Sequence, residues 1–172
     1  PTLLFCNYLY VSGTSNTGKL YFNTFANNIT ANYGDMPGRI LDIACNDGTQ
    51  LDCFFKLGWK TYGVDPAANI MKTVSNNHVL HTGFWTKAVA QSLPKMDVVL
   101  AQNVFAHTPN PKDFLDAIVH CTHGLSTVYI QTSQFYMLRD GQFDTIYHEH
   151  VSFFCLRSMN TLVKRCGFMI QA

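Results

Sequence analysis

Charge is what this sequence has least of. Charged side chains make up 13% of its 172 residues, about half the ~25% of an ordinary soluble domain. The formal net charge is +1 and no basic run occurs, so there is no electrostatic case for a nucleic acid or an acidic membrane as partner. No apolar stretch approaches the ~20 residues needed to span a bilayer. The opening PTLLFCNYLY lacks a basic n-region and an A-x-A-like cleavage site, which argues against a signal peptide. It also lacks an initiator Met, and we expect the chain to begin part-way through a longer protein. No C-x-x-C occurs among the six cysteines, at 6, 45, 53, 121, 155 and 166. Their irregular spacing fits buried free thiols in a reducing cytosol better than disulfides, so the expected location is cytoplasmic. There are no internal repeats and no low-complexity segments. A surface so poor in charge must lean on Asn, Thr, Ser and Gln, or be covered in part by missing chain or a partner.

What is present alternates between two periods. A helix is predicted over TGKLYFNTFANNITANYG, where Leu20, Phe22, Phe25, Ile29 and Tyr33 recur near 3.6 and Gly34 ends the run. Strands follow at 39–44 (RILDIA), 61–65 (TYGVD), near HVLHTG, at 96–102 (MDVVLAQ) and at 126–132 (STVYIQT). Helices are predicted at 49–58, closed by Gly58, at 67–75 and at 158–167. Another is predicted from Asn110 as N-cap, with Pro111 at its first position, to Gly124 as its close. FMIQA reads as the start of a sixth strand. Continuous apolar strands separated by helices imply a parallel sheet covered on both faces. The predicted fold is α/β, a doubly wound Rossmann-like, mostly parallel sheet with its C-terminal strands truncated. The ligand should lie at the carboxyl ends of the strands, beside the first one.

LDIACNDGTQL follows the first strand and opens a helix. Ala44 and Gly48 supply the small residues that a close backbone–ligand approach needs, and helix amides would face the ligand. G-x-G-x-x-G is not met, which disfavours a pyrophosphate pressed on the backbone. Asp47 would repel phosphate and suit an amine-bearing or cationic ligand. Asp65 ends the second strand near the ~20-residue offset at which a carboxylate meets ribose hydroxyls, and it also suits a helix N-cap before Pro66. Loop, second-strand acid and VVLAQNVFAH in order favour a nucleoside-bearing ligand over a ligand-free sheet.

The densest titratable cluster is Tyr147, His148, Glu149 and His150, inside the aromatic-flanked QFDTIYHEHVSFF. Histidines and a carboxylate suit zinc or iron. Against a metal, H-E-H is not H-E-x-x-H, and on an extended chain Glu149 points away from the two histidines. A hydrogen-bonded structural turn is the bland reading. The chemical one is carbon-acid chemistry: a base that titrates near neutrality removes a proton next to a ketone, and a hydroxyl donor steadies the enolate oxygen.

The string LDIACNDGTQL…YGVDPAANI…DVVLAQNVFAHTPNPKDFL resembles class I S-adenosylmethionine-dependent methyltransferases. More narrowly, YLYVSGTSNTGKLYFNTFA, NDGT, NVFAHTPN and FDTIYHEHVSFF together resemble the C-methyltransferases of nucleotide-linked keto-deoxysugars, over roughly residues 8–168. The loop motif is shared by many methyltransferases, and YHEH is far more specific. The resemblance implies S-adenosylmethionine as cofactor, with Asp42, Ala44, Asn46 and Gly48 around its methionine part. It implies Asp65 on the ribose, Phe84 along the adenine, and Gln102 and Asn103 beside the methyl. His107, Tyr8, Tyr10, Ser12 and Ser15 would face substrate. Catalysis would fall to His150 as base, Tyr147 on the keto or enolate oxygen and Glu149 as orienting group, with His148 structural and no metal. Residues 1–38 would form a substrate-facing segment and helix, and 39–172 the cofactor-binding domain, incomplete at its C-terminus. The zinc module and C-terminal nucleotide-holding domain usual in such enzymes are not in this sequence, so flanking domains are expected in a longer chain. Rival readings are an O- or N-methyltransferase, a non-catalytic cofactor-binding fragment and a metal-dependent hydrolase.

Overall fold

The computed structural model describes residues 2–34, 37–142 and 146–171. The elements run α1 (Thr2–Cys6), α2 (Asn16–Tyr33), β1 (Arg39–Ile43), α3 (Thr49–Lys56), β2 (Lys60–Asp65), α4 (Ala68–Met71), β3 (Val79–Thr82), α5 (Lys87–Ser92), β4 (Met96–Gln102), α6 (Pro111–His120), β5 (Thr122–Gln131), α7 (Tyr136–Arg139) and α8 (Leu156–Arg165). Short 3₁₀ turns sit at Ser12–Thr14 and Phe105–His107. All five strands are parallel, in the order β3-β2-β1-β4-β5. The order reverses between β1 and β4, which opens a crevice at their carboxyl ends.

Alternation along the central strands splits the core into two layers. Val98 and Leu100 of β4, with Ile40 of β1, pack on Ala26 and Ile29 of α2 and on Phe54 and Trp59. Val99 and Ala101, with Leu41 and Ile43, face Val89, Phe114, Leu115, Ile118 and Val163 from α5, α6 and α8. Trp59 is fully buried and its indole N–H donates to Thr30 Oγ1 at 2.8 Å, so the ring's burial leaves no orphan donor. α6 starts as predicted: Pro111 is in its first turn, and the Asn110 side chain accepts from Asp113 N.

Several sequence expectations are corrected. α6 stops at His120 rather than at Gly124, and β5 already begins at Thr122, because Met96 N takes the Cys121 carbonyl and starts the β4–β5 ladder there. Leu20 is exposed, and the buried stripe of α2 runs through Ala26 and Ile29. Residues 67–75 give only the single turn α4. α5 was missed because LPK follows it closely and leaves only six residues. Residues 168–171 form no strand: Gly167 turns left-handed (φ 84°) and Phe168 N bonds back to Val163 O, closing the end of α8 instead. All six cysteines are free, but Cys6 is exposed and Cys53 and Cys155 only half-buried. No helix among the described residues is long and apolar enough to cross a membrane.

Candidate active site

The loop after β1 is shaped by backbone bends that favour small or amide side chains. Ala44 (φ 67°), Asn46 (φ 52°) and Gly48 (φ 74°) are all left-handed. Ala44 in that region costs about 1–2 kcal/mol. The loop is tied down where Ala44 N and Cys45 N both donate to Val64 O, at 2.7 and 3.3 Å. Gly63 in β2 makes this possible, because a Cβ there would stand 2.7 Å from Cys45 Sγ and 2.8 Å from Leu51 Cδ1. At Gly48 a Cβ would fall 2.6 Å from Val74 Cγ1. Gly48 therefore shapes the turn into α3 and does not line the cavity.

Two carboxylates are buried behind this loop, Asp42 at 4% and Asp65 at 6% exposure. Asp65 accepts from Asn46 N (2.9 Å) through Oδ2 and from Ala67 N (2.8 Å) through Oδ1. Asp65 lines the cavity and each of its oxygens keeps a further lone pair, but it is not the expected helix N-cap: α4 is capped by Ala67 with no side-chain bond, and Asp65 closes a turn onto Ala67 N ahead of it. Burial raises its pKa, and the two amide bonds oppose the rise without cancelling it. Asp42 is pushed up to about 8, first by burial and then by the charge of Asp65. Gln50, on the first turn of α3 and 5% exposed, has an Nε2 with no partner.

Asp47 does not line the cavity. Its Oδ2 accepts from Gly13 N (2.8 Å) and its Oδ1 from Thr49 N (3.1 Å). Next to it, Asn46 Oδ1 accepts from Ser12 N (2.9 Å) while Asn46 Nδ2 donates to Tyr10 O (3.0 Å). Asn69 Nδ2 donates to Tyr8 O at 2.7 Å. The expected cation-attracting loop carboxylate is thus an anchor, and residues 8–13 are strapped over the loop. Ser15 caps α2 through its hydroxyl and does not line the cavity.

A cavity of about 1270 Å³ opens at the carboxyl ends of β1 and β4, beyond the ~300–1,000 Å³ usual for one small ligand. Tyr8, Tyr10, Ser12, Asp42, Ala44, Asn46, Asp65, Phe84, Gln102, Asn103, His107, Tyr147 and His150 all line it. Glu149 does not. Sequence reasoning missed Phe5 and Gln50, which also line it, as does Trp85 of the expected adenine segment HTGFW. Gln50 had a positional signal, two residues past the loop glycine, but no residue type that stands out.

Residues 147–150 form a turn rather than an extended segment, closed by His150 N donating to Tyr147 O at 3.1 Å. The turn brings together what an extended chain would separate: Tyr147 Oη lies 2.9 Å from His150 Nε2, with ring centroids 4.2 Å apart. Ser133 Oγ, two residues beyond β5, lies 3.1 Å from His150 Nδ1. His107 Nδ1–H donates to the Glu149 carbonyl at 2.9 Å, and its ring centre is 4.8 Å from that of His150. Val151 N and Ser152 N both bond Ala106 O, fixing the turn to the end of β4. Burial, then the Glu149 charge, raises the Tyr147 pKa and keeps its hydroxyl protonated. Burial lowers that of His107. His148 is exposed. Phe143, Asp144 and Thr145 lie outside the described residues. Among the described residues no group of three or more metal-ligating side chains is assembled.

A profile described as a methyltransferase domain matches residues 20–172. The chain belongs to the methyltransferase-domain family. A curated relative is the C-methyltransferase NovU of Streptomyces niveus, 26% identical over 99% of this chain and 42% of that protein. The chain thus spans well under half of that relative's length. Among solved structures, a SAM-dependent methyltransferase of Archaeoglobus fulgidus superposes with a TM-score of 0.66 at 18% identity, over 87% of this chain and 69% of that one. The plantazolicin methyltransferase BamL, in complex with a triazolic desmethylPZN analog and SAH, gives 0.69 at 15% identity, over 88% and 63%. The five-stranded parallel sheet is thus that of S-adenosylmethionine-dependent methyltransferases. The residues fit this family's cofactor chemically: of the two buried carboxylates, Asp65 suits ribose hydroxyls and Asp42 a positive charge, and the orphaned Gln50 Nε2 can donate to the cofactor's carboxylate.

Proposed function

We propose that this methyltransferase domain transfers a methyl group from S-adenosylmethionine to carbon, on a nucleotide-linked keto-deoxysugar, through an enolate. The observation that carries the reading is the hydrogen-bonded Tyr147–His150 pair lining the same cavity as Asp42 and Asp65. Methyl transfer to oxygen or nitrogen needs no carbon acid. Transfer to carbon does, and an imidazole paired with a phenol supplies both a base and an oxygen donor. A relative that carries C-methylation in its name supports the same direction.

In this reading the cofactor supplies an electrophilic methyl group on a sulfonium. Asp65 would accept from its ribose hydroxyls, Phe84 would lie along its adenine, and the left-handed Ala44–Gly48 turn with Asp42 and Gln50 would hold its amino-acid end, with Gln102 and Asn103 toward the methyl. When a keto sugar enters, the Tyr147 hydroxyl passes from His150 Nε2 to the ketone oxygen. Nε2 then takes the proton from the adjacent carbon, and Tyr147 O–H stabilises the enolate oxygen. Glu149 works through its backbone carbonyl, which holds His107, and through its charge beside Tyr147. Tyr8, Tyr10, Ser12 and His107 border the sugar, and residues 1–38 serve as the substrate-facing part of a longer, cytoplasmic enzyme.

Deuterium wash-in tests this without methyl transfer. Incubated in D₂O with a nucleotide-linked keto-deoxysugar and S-adenosylhomocysteine, the protein should exchange the proton next to the ketone, and His150→Ala should not. Exchange by His150→Ala at the unsubstituted rate would remove the proposed base. Methylation of a sugar hydroxyl or amine without exchange would favour an O- or N-methyltransferase.

A further inference from the structure

We propose that Ser133 is a positioning residue that holds His150 in the Nδ1–H tautomer, so that Nε2 is the basic nitrogen facing the cavity. The proposal rests on the reading of His150 as base and adds how the base is prepared.

His150 sits between two hydroxyls, Ser133 Oγ at Nδ1 (3.1 Å) and Tyr147 Oη at Nε2 (2.9 Å). A neutral imidazole has one N–H and one lone pair, so the two bonds run in the same sense. Either Nδ1–H donates to Ser133 while Tyr147 donates to Nε2, or both bonds reverse. A phenol is a better donor and a poorer acceptor than an aliphatic alcohol. The first arrangement therefore matches each oxygen to its stronger role. Burial and the nearby Glu149 charge keep Tyr147 protonated, which leaves it the proton to donate. The free side chain favours Nε2–H, so the Nδ1–H form needs a partner, and Ser133 is placed to be one.

Ser133 is itself held in register. Its carbonyl accepts from Phe154 N (3.1 Å), Phe135 N donates to Phe154 O (2.9 Å), and Gln134 and Phe154 form an isolated parallel bridge. Phe154 is buried against Phe105, 5.1 Å between ring centres. The backbone around Ser133, just past β5, is thereby stapled to Phe154, four residues beyond His150, so the Ser133 Cα is fixed relative to the imidazole. When Nε2 takes a proton from carbon, Nδ1–H stays bonded to Ser133 and shares the new positive charge with an oxygen lone pair. No bond to Ser133 is made or broken.

Nitrogen-15 NMR of the imidazole ring in the protein without substrate reads the tautomer directly. The unsubstituted protein should show His150 predominantly as Nδ1–H at a pH where it is neutral. Ser133→Ala should cut the Nδ1–H:Nε2–H ratio at least threefold, and Ser133→Thr, which keeps the hydroxyl, should restore it. A predominant Nε2–H form in the unsubstituted protein overturns the proposal whether or not the variants fold. So does a ratio unchanged in Ser133→Ala. Loss of wash-in by His150→Ala is the separate test of the base itself, so the two claims fail independently.

Discussion

The loop after β1 and the Tyr147–His150 turn line one cavity, but the first is largely buried and the second half-exposed. The loop is held by left-handed backbone, by two amides on Val64 O and by Asp65 beneath Asn46. The turn is held by one internal bond, two amides on Ala106 O and side-chain bonds among His150, Tyr147 and Ser133. A buried, strained loop suits a ligand whose shape does not vary. A half-exposed polar turn can exchange its internal hydrogen bonds for bonds to a substrate. Binding and chemistry should therefore be separable by mutation.

The sharpest way to break that separation is at His150. His150→Ala should lower transfer to a keto sugar by ~10²–10⁴-fold and leave the Kd for S-adenosylmethionine within about twofold, read by steady-state kinetics and calorimetry. A parallel loss of cofactor binding would merge the two regions. Asp65→Ala is the converse. It strands Asn46 N and Ala67 N, at about 1–3 kcal/mol for each buried orphan, and cofactor affinity should fall at least tenfold. Thermal shift with and without cofactor follows both effects.

Asp42 adds a pH signature that belongs to the loop alone. With its pKa at about 8 in the fold and 3.8 as the reference, the folded state keeps a proton that the unfolded chain has released between those values. Stability from Asp42 is thus complete below about pH 4 and is lost as pH rises through about 8. Denaturant midpoints measured from pH 5 to 8 should decline in the unsubstituted protein and decline less in Asp42→Asn. An equal slope in both would place the titration elsewhere. The smallest effect is expected at Ala44. Ala44→Gly relieves about 1 kcal/mol of left-handed strain, worth roughly 2–4 °C in Tm for a chain of this size. No shift, or a decrease, would mean that the loop carries no such strain.

The same contrast governs what could be read from sequence. β1, β2 and β4 were legible because their side chains face two buried layers and leave continuous apolar runs. Asp65 was legible because its place at the end of β2 fixes its surroundings. Asp47 was misread because sequence gives a carboxylate's charge but not its partners, and Gly13 N lies 34 positions away. The 147–150 segment stayed open between an extended chain and a turn because no Gly or Pro marks it, and its seat on Ala106 comes from another element. Ser133 gave no signal, since its approach to His150 depends on the Gln134–Phe154 bridge, which no local pattern marks. Local periodicity reports which residues are buried. It does not report which polar groups meet.

In the proposed reading, the loop after β1 binds a cationic nucleoside cofactor against Asp42 and Asp65. Calorimetric titration of S-adenosylmethionine near pH 7, in two buffers of different ionisation enthalpy, tests it most directly. The account predicts saturable binding, weakened at least tenfold in Asp65→Ala, with proton release that disappears in Asp42→Asn. Folded protein that binds neither S-adenosylmethionine nor S-adenosylhomocysteine would contradict it.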